Sequence, residues 1–210
     1  MFVQPIAHRL IHMTILTLAS GSAIRARLLR NAGLEISVSP ARIDEAAILD
    51  SLQADGATPH DIADALAEFK SQRVAARFPQ SLVLGCDQLL ECQGVLYSKP
   101  VDQPDARAQL DHLRGKTHRL YTAAVLYAEQ QPVWRHVSTP RLTMRHFSDD
   151  FLNRYVADHW QDIRNCVGCY QIEGPGIRLF SQVQGDLFAI QGLPLLELLT
   201  ILIQRKDIPG

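Results

Sequence analysis

The chain has 210 residues, 47% hydrophobic and 20% charged, a make-up that supports one domain or two small lobes and argues against disordered, collagen-like or disulfide-scaffold classes. Lys and Arg total 21 against 22 Asp and Glu, a formal net charge of -1. A polyanionic partner would therefore have to be held by a local basic cluster, and nucleic acid is not an expected partner. The four cysteines lie in mixed surroundings, Cys86 in an apolar run and Cys92 in a turn, the pattern of reduced thiols in a cytoplasmic protein.

From Phe2 to Met13 the apolar residues are interrupted by His8, Arg9 and His12, and no small-residue cleavage site follows. No stretch approaches the ~20 apolar residues that span a bilayer, so neither export nor a membrane is expected. Residues 1–13 read as an N-terminal extension, or as sequence upstream of a start at Met13, ahead of a single domain over 14–210. Thr14 to Ala19 reads as a strand, Ser20-Gly21-Ser22 as a turn, and Ile24, Leu28 and Leu29 as the apolar side of a helix ending at Gly33. A short strand at Ile36 to Ser39 is followed by a polar loop beginning at Arg42, Ile43, Asp44 and Glu45. Thr58, Pro59 and Asp61 form a helix start, and the stripe Ile62, Leu66, Phe69, Val74 continues that helix to Phe78 and Pro79.

Ser81 to Cys86 is too short for a helix and reads as a buried strand, with a hairpin over Gln88 to Tyr97 turning at Gln93-Gly94. Pro104 and Asp105 open a helix ending at Arg114-Gly115. Strands at His118 to Tyr127 and Val133 to Arg145 are expected to pair antiparallel across the turn Glu129 to Pro132. Ser148, Asp149 and Asp150 cap a helix through Tyr155; an irregular segment follows from Cys166 to Gly176. A strand at Ile177 to Val183, a turn at Gln184 to Asp186 and an amphipathic helix from Pro194 to Ile203 complete the chain. Strands and helices intermix without strict alternation, which predicts an α/β fold with a mixed sheet covered by helices.

Four features carry chemistry. Ser20, Ser22 and Arg25 sit in a small turn between strand and helix, where backbone N–H groups, hydroxyls and a guanidinium can converge on an anion; an ordinary helix cap with a surface arginine gives the same pattern. Lys70 lies on the apolar stripe between Leu66 and Val74, either snorkelling outward or facing a phosphate at a cleft. Asp87 follows the buried run at its expected end, where open α/β sheets present ligand sites, or else simply opens the next turn. Lys99, beside Pro100, reads alone as an exposed loop lysine. Together with Asp44 and Glu45 these residues suit a polyphosphate and its divalent metal: cations neutralise phosphoryl oxygens, carboxylates hold Mg²⁺ or Mn²⁺, and one carboxylate activates water. Cys166 and Cys169 have a zinc-like spacing but no second pair, so a structural zinc is not expected. The histidines form no triad with a serine or cysteine, and His118 reads as a packing residue.

In their order along the chain these residues resemble the Maf-like nucleoside triphosphate pyrophosphatases. The match runs from Leu18 to Ser22 with Arg25, through Asp44 and Glu45, Lys70, Gly85 to Asp87 and Ser98 to Pro100, to Leu113 to Gly115 with His118. It continues through Tyr121-Thr122, Gly168 to Tyr170, Glu173-Gly174, Gly185-Asp186 and Gly192 to Pro194. The resemblance implies two lobes around a cleft, commonly in a homodimer, and hydrolysis of a nucleoside triphosphate to monophosphate and pyrophosphate with Mg²⁺ or Mn²⁺. It also implies Asp87 as proton acceptor, Arg25, Glu45, Lys70 and Lys99 as polar site residues, clearance of nonstandard or modified nucleotides, and a link to septum formation. The chain differs at Ala23-Ile24, where the family has Pro-Arg, at Gln88, where it has Thr, and at Glu173, where it has Gln. Glu173 beside phosphates repels them unless it binds metal or is protonated, so Glu45, Asp87 and Glu173 are the expected metal carboxylates. The alternative function is a catalytically weak nucleotide-binding regulator of cell division.

Overall fold

The computed structural model describes residues 15–210; the expectation for residues 1–13 lies outside them. Strands β1 (Leu16–Leu18), β2 (Ile36–Val38), β3 (Leu82–Cys92), β4 (Val95–Tyr97), β5 (Thr117–Ala128), β6 (Gln131–Ser138), β7 (Arg141–Met144) and β8 (Phe180–Gln184) form one sheet. Its path is β2-β1-β3-β5-β7-β8, with β4 added to β3 and β6 to β5. The β1 pairings are parallel and the others antiparallel, so the sheet is mixed, as expected from the sequence.

Two long strands organise everything else. β3 and β5 pair from Val83↔Tyr127 to Glu91↔Arg119. Along the outer edge of β3, β1 pairs with Leu82–Leu84 and β4 with Leu90–Cys92. Between them, Gly85 to Leu89 have no strand on that side. This break divides the molecule into two lobes joined by continuous strands, and it is where the cleft opens.

In the first lobe, side chains alternate across the sheet with the period of two that a pleated strand imposes. Leu82, Leu84 and Leu126 face one apolar cluster with Leu28 and Leu29 of α1 (Ala23–Asn31) and Leu198 and Leu202 of α7 (Leu195–Gln204). Val83, Ala123 and Val125 face another with Ile62, Leu66 and Val74 of α3 (Pro59–Ala75). The second lobe packs Leu90, Leu120 and Leu142 against Leu110 of α4 (Gln103–Leu113) and Leu152 and Tyr155 of α5 (Asp149–Ile163). Gly85 lets α3 lie directly on β3: a Cβ there would stand 2.2 Å from the Ala67 carbonyl oxygen and 2.6 Å from the Ser71 nitrogen. Gly85→Ala is therefore expected to cost roughly 3 kcal/mol, the upper end of overpacking effects. The check is the urea midpoint of unfolding; an unshifted midpoint would mean that α3 can retreat freely.

Several elements depart from the sequence expectations. The polar loop at Arg42 to Glu45 ends in a helix, α2 (Glu45–Ala54), whose cap is the Asp44 carboxylate accepting from the Ala47 N–H at 3.1 Å. None of its residues is fully buried; Ile48, Leu49 and Leu52 lie partly buried against the core and form its short apolar stripe. The strand expected over Val133 to Arg145 is two strands, because Pro140 has no N–H to give to a ladder; the Pro140 carbonyl instead accepts from Leu120 N at 3.0 Å. α5 runs to Ile163, well past Tyr155. A 3₁₀ turn over Pro175–Leu179 delays β8, and a short helix α6 (Leu187–Ile190) follows it.

Candidate active site

The main correction concerns Asp87. Its run does not end at Cys86: β3 continues to Cys92, and Asp87 stands mid-strand, in the stretch where the sheet edge is broken. A charge is placed here at the mouth of the cleft because the neighbouring strands stop, not because its own strand does. Asp87 is only 5% exposed and Lys70 only 7%. Lys70 Nζ donates to Asp87 Oδ1 at 2.6 Å and also lies 3.0 Å from Glu45 Oε2. The lysine on the apolar stripe of α3 thus spans β3 and the first turn of α2 while lining the cleft, held by carboxylates and not snorkelling into solvent. Burying either charge without the other would cost several kcal/mol, so the pair is mutually required. Because the ion pair uses Oδ1, Asp87 Oδ2 keeps its lone pairs for a water or a metal ion.

Arg25 closes the same opening from the other side. Ser22 caps α1 by accepting from the Arg25 N–H. This starts the helix with the Arg25 guanidinium over the gap. Its Nε donates to the Gly192 carbonyl at 2.7 Å, and its Nη1 donates to Cys86 O and Ser20 Oγ, each at 3.0 Å. The Cys86 carbonyl is one that a missing strand would otherwise have satisfied. Ser20 is buried and serves by holding Arg25, whereas Ser22 lines the cleft itself.

The cleft has a volume of about 460 Å³ and is lined by Arg25, Lys70 and Lys99 together with Glu45, Asp50, Asp87 and Glu173. Lys99 makes no ion pair among the described residues, while Glu173 Oε1 accepts from Arg27 Nη2 at 3.1 Å. The structure thus brings Ser22, Arg25, Glu45, Lys70, Asp87, Lys99 and Glu173 to one cavity, with Ser20 just behind it. Residues that sequence reasoning did not reach are Gln88's supports and Arg27. Gln88 Nε2 donates to Thr122 Oγ1 at 2.8 Å and to the Ala189 and Ile190 carbonyls at 3.1 Å, so α6 fixes this amide. Thr122 is Gln88's cross-strand partner on β5, but α6 comes from more than a hundred residues away, and no local pattern signals that part of the contact.

Among the described residues, no group of three His, Cys, Asp or Glu is assembled to hold a metal. The donor set nevertheless suits Mg²⁺ or Mn²⁺, which are held by one or two carboxylates with the remaining positions left to water and substrate phosphates. Glu45 and Asp87 converge on one ammonium and offer those oxygens. The cleft also has more acids than bases among these lining residues.

His118 is buried behind the cleft, with Nε2 2.9 Å from the Tyr170 hydroxyl and Nδ1 without a partner among the described residues. Burial pulls its pKa down to about 4, so the ring is neutral at pH 7 and packs, as expected. Because the unfolded chain takes up this proton near pH 6.5 and the folded chain only near 4, stability should fall across that window, by on the order of 3 kcal/mol. Chemical denaturation at pH 7 and pH 4.5 should show a smaller difference in His118→Gln than in the parent; an equal difference would place the titration elsewhere.

A family model described as Maf-like protein matches residues 15–205. The chain belongs to the Maf family. It is 51% identical over 189 residues to the nucleoside triphosphate pyrophosphatase of Ruegeria sp. (strain TM1040), covering 90% of this chain and 95% of that protein. It is also 51% identical over 194 residues to the protein of the same name from Roseobacter denitrificans, covering 92% and 98%. The 7-methyl-GTP pyrophosphatase of Brucella abortus biovar 1 is 46% identical over 199 residues, 94% of this chain and all of that protein. The family match spans the whole cleft, from the Ser20 turn to Gly192.

Proposed function

We propose that this Maf protein is a nucleoside triphosphate pyrophosphatase that attacks the α-phosphorus with water and releases the monophosphate and pyrophosphate. The observation that carries the reading is the Asp87 carboxylate, held mid-strand in the cleft by Lys70 with one oxygen uncommitted. In this role Oδ2 takes a proton from water as the water's oxygen forms its bond to phosphorus, and the bond to the bridging oxygen of the β-phosphate breaks. Lys70 orients Asp87 through their ion pair, and Arg25 and Lys99 bind the phosphate chain. A divalent cation at Glu45 and Asp87, joined by Glu173, would neutralise phosphoryl charge.

The test is product release from a panel of triphosphates that includes methylated bases. 7-Methyl-GTP belongs in it because of the Brucella relative's name and because its cationic base suits a cleft with excess acid. Turnover should vanish with a chelator and return with Mg²⁺ or Mn²⁺. Binding without turnover across the panel would favour the weak regulator of cell division. Glu173→Gln is expected to raise the metal concentration for half-maximal rate several-fold, an order of magnitude at most for one lost ligand charge. Unchanged metal dependence with tighter nucleotide binding would make Glu173 a purely repulsive element. The proposal extends to a homodimer in the cytoplasm, which sedimentation and fractionation would test; no helix among the described residues is long and apolar enough to cross a membrane.

A further inference from the structure

A second hollow, of about 570 Å³, lies outside the cleft. It is walled by Val38 at the end of β2, by Ser39, Pro40 and Arg42 from the segment between β2 and α2, and by Arg73 and Arg77 from the end of α3 and just beyond. None of these residues lines the catalytic cleft. Only five of the described arginines, Arg27, Arg107, Arg114, Arg135 and Arg205, pair with a carboxylate. Arg42, Arg73 and Arg77 have no such partner among the described residues, and residues 1–14 contain no Asp or Glu that could supply one. The Arg77 guanidinium rests over the Phe78 ring, 5.3 Å from its centre, a contact that uses the face of the group and leaves its N–H edge free.

Three guanidinium groups around one hollow repel one another unless an anion joins them, and their forked donors match phosphate oxygens. The opening is a discrete pocket in a chain of net charge -1, whereas a nucleic-acid backbone is held by cations extended along a track. We propose that this hollow is a second anion site that takes a compact multivalent phosphate, gripped by Arg42, Arg73 and Arg77 with the Ser39 hydroxyl. The phosphate is either free pyrophosphate or the phosphate group of a small nucleotide. The site would tie together the two segments that carry the Glu45–Lys70 contact, since Arg42 precedes Glu45 by three residues and Arg73 follows Lys70 by three.

Calorimetric titration of the full chain with sodium pyrophosphate, in low-salt buffer with Mg²⁺ supplied for the cleft, tests this without turnover and so independently of the proposed reaction. Two binding events are expected. The Arg73→Ala/Arg77→Ala double variant should weaken one of them about tenfold or more, the effect of losing charge-assisted contacts, while leaving KM for the triphosphate unchanged. Lys99→Ala should weaken only the other event, and Arg30→Ala, an exposed arginine elsewhere, should change neither. Parallel titrations with inorganic phosphate and a nucleoside monophosphate identify the source, the tighter ligand naming it as free anion or nucleotide. A single event sensitive to Lys99→Ala alone would overturn the proposal. So would two events that both survive in the arginine double variant, or a hollow that binds a single-stranded oligonucleotide but no pyrophosphate.

Discussion

Asp87→Asn is expected to lower kcat by at least about 10²-fold while the protein stays folded, because it removes the proton acceptor and preserves its size. The amide oxygen can still accept from Lys70, so the bond that joins α3 to β3 at 2.6 Å keeps a partner. The loss should appear in kcat more than in KM, since Arg25 and Lys99 are untouched. Far-UV circular dichroism and a thermal melt alongside the kinetics separate lost chemistry from lost fold. Near-normal turnover in a folded variant would remove Asp87 from the role of base.

The second large effect belongs to its partner. Lys70→Met keeps most of the stem that packs beside Leu66 and Val74 but leaves Asp87, 5% exposed, as a buried carboxylate with no counter-charge. Breaking a buried pair in this way costs about 3–5 kcal/mol, so the variant should unfold at much lower urea and lose activity with it. Glu45 is more than half exposed and contributes little to that cost. Adding Asp87→Asn should return most of the lost stability, since the double variant has no unpaired charge. Equal stability of Lys70→Met and the double variant would mean that the pair does not hold the cleft together.

How far these features were legible depends on how local their causes are. The turn and helix from Ser20 onward, and α3 from Thr58 and Pro59, follow from caps and periodicity within a few residues, and the structure places both as expected. Lys70 was conspicuous as a cation on an apolar stripe, yet its partners come from β3 and α2, distant in sequence, so the stripe could not say that it faces carboxylates. Asp87 reads from the sequence as an acid at the end of a buried run, but β3 continues past it, and the gap it faces depends on where β1 and β4 stop, which only tertiary pairing decides. The loop reading of α2 overlooks Ile48, Leu49 and Leu52, which sit at helical spacing and pack, partly buried, against the core. The ordered resemblance across the chain succeeded where single motifs were ambiguous, because it samples both lobes at once.

The most direct test of the central claim is to follow one turnover of a triphosphate substrate in ¹⁸O-labelled water and weigh the two products. Attack at the α-phosphorus by water activated at Asp87 predicts the label in the nucleoside monophosphate and unlabelled pyrophosphate as the direct co-product. Label in the pyrophosphate, or orthophosphate released as the first product, would contradict it.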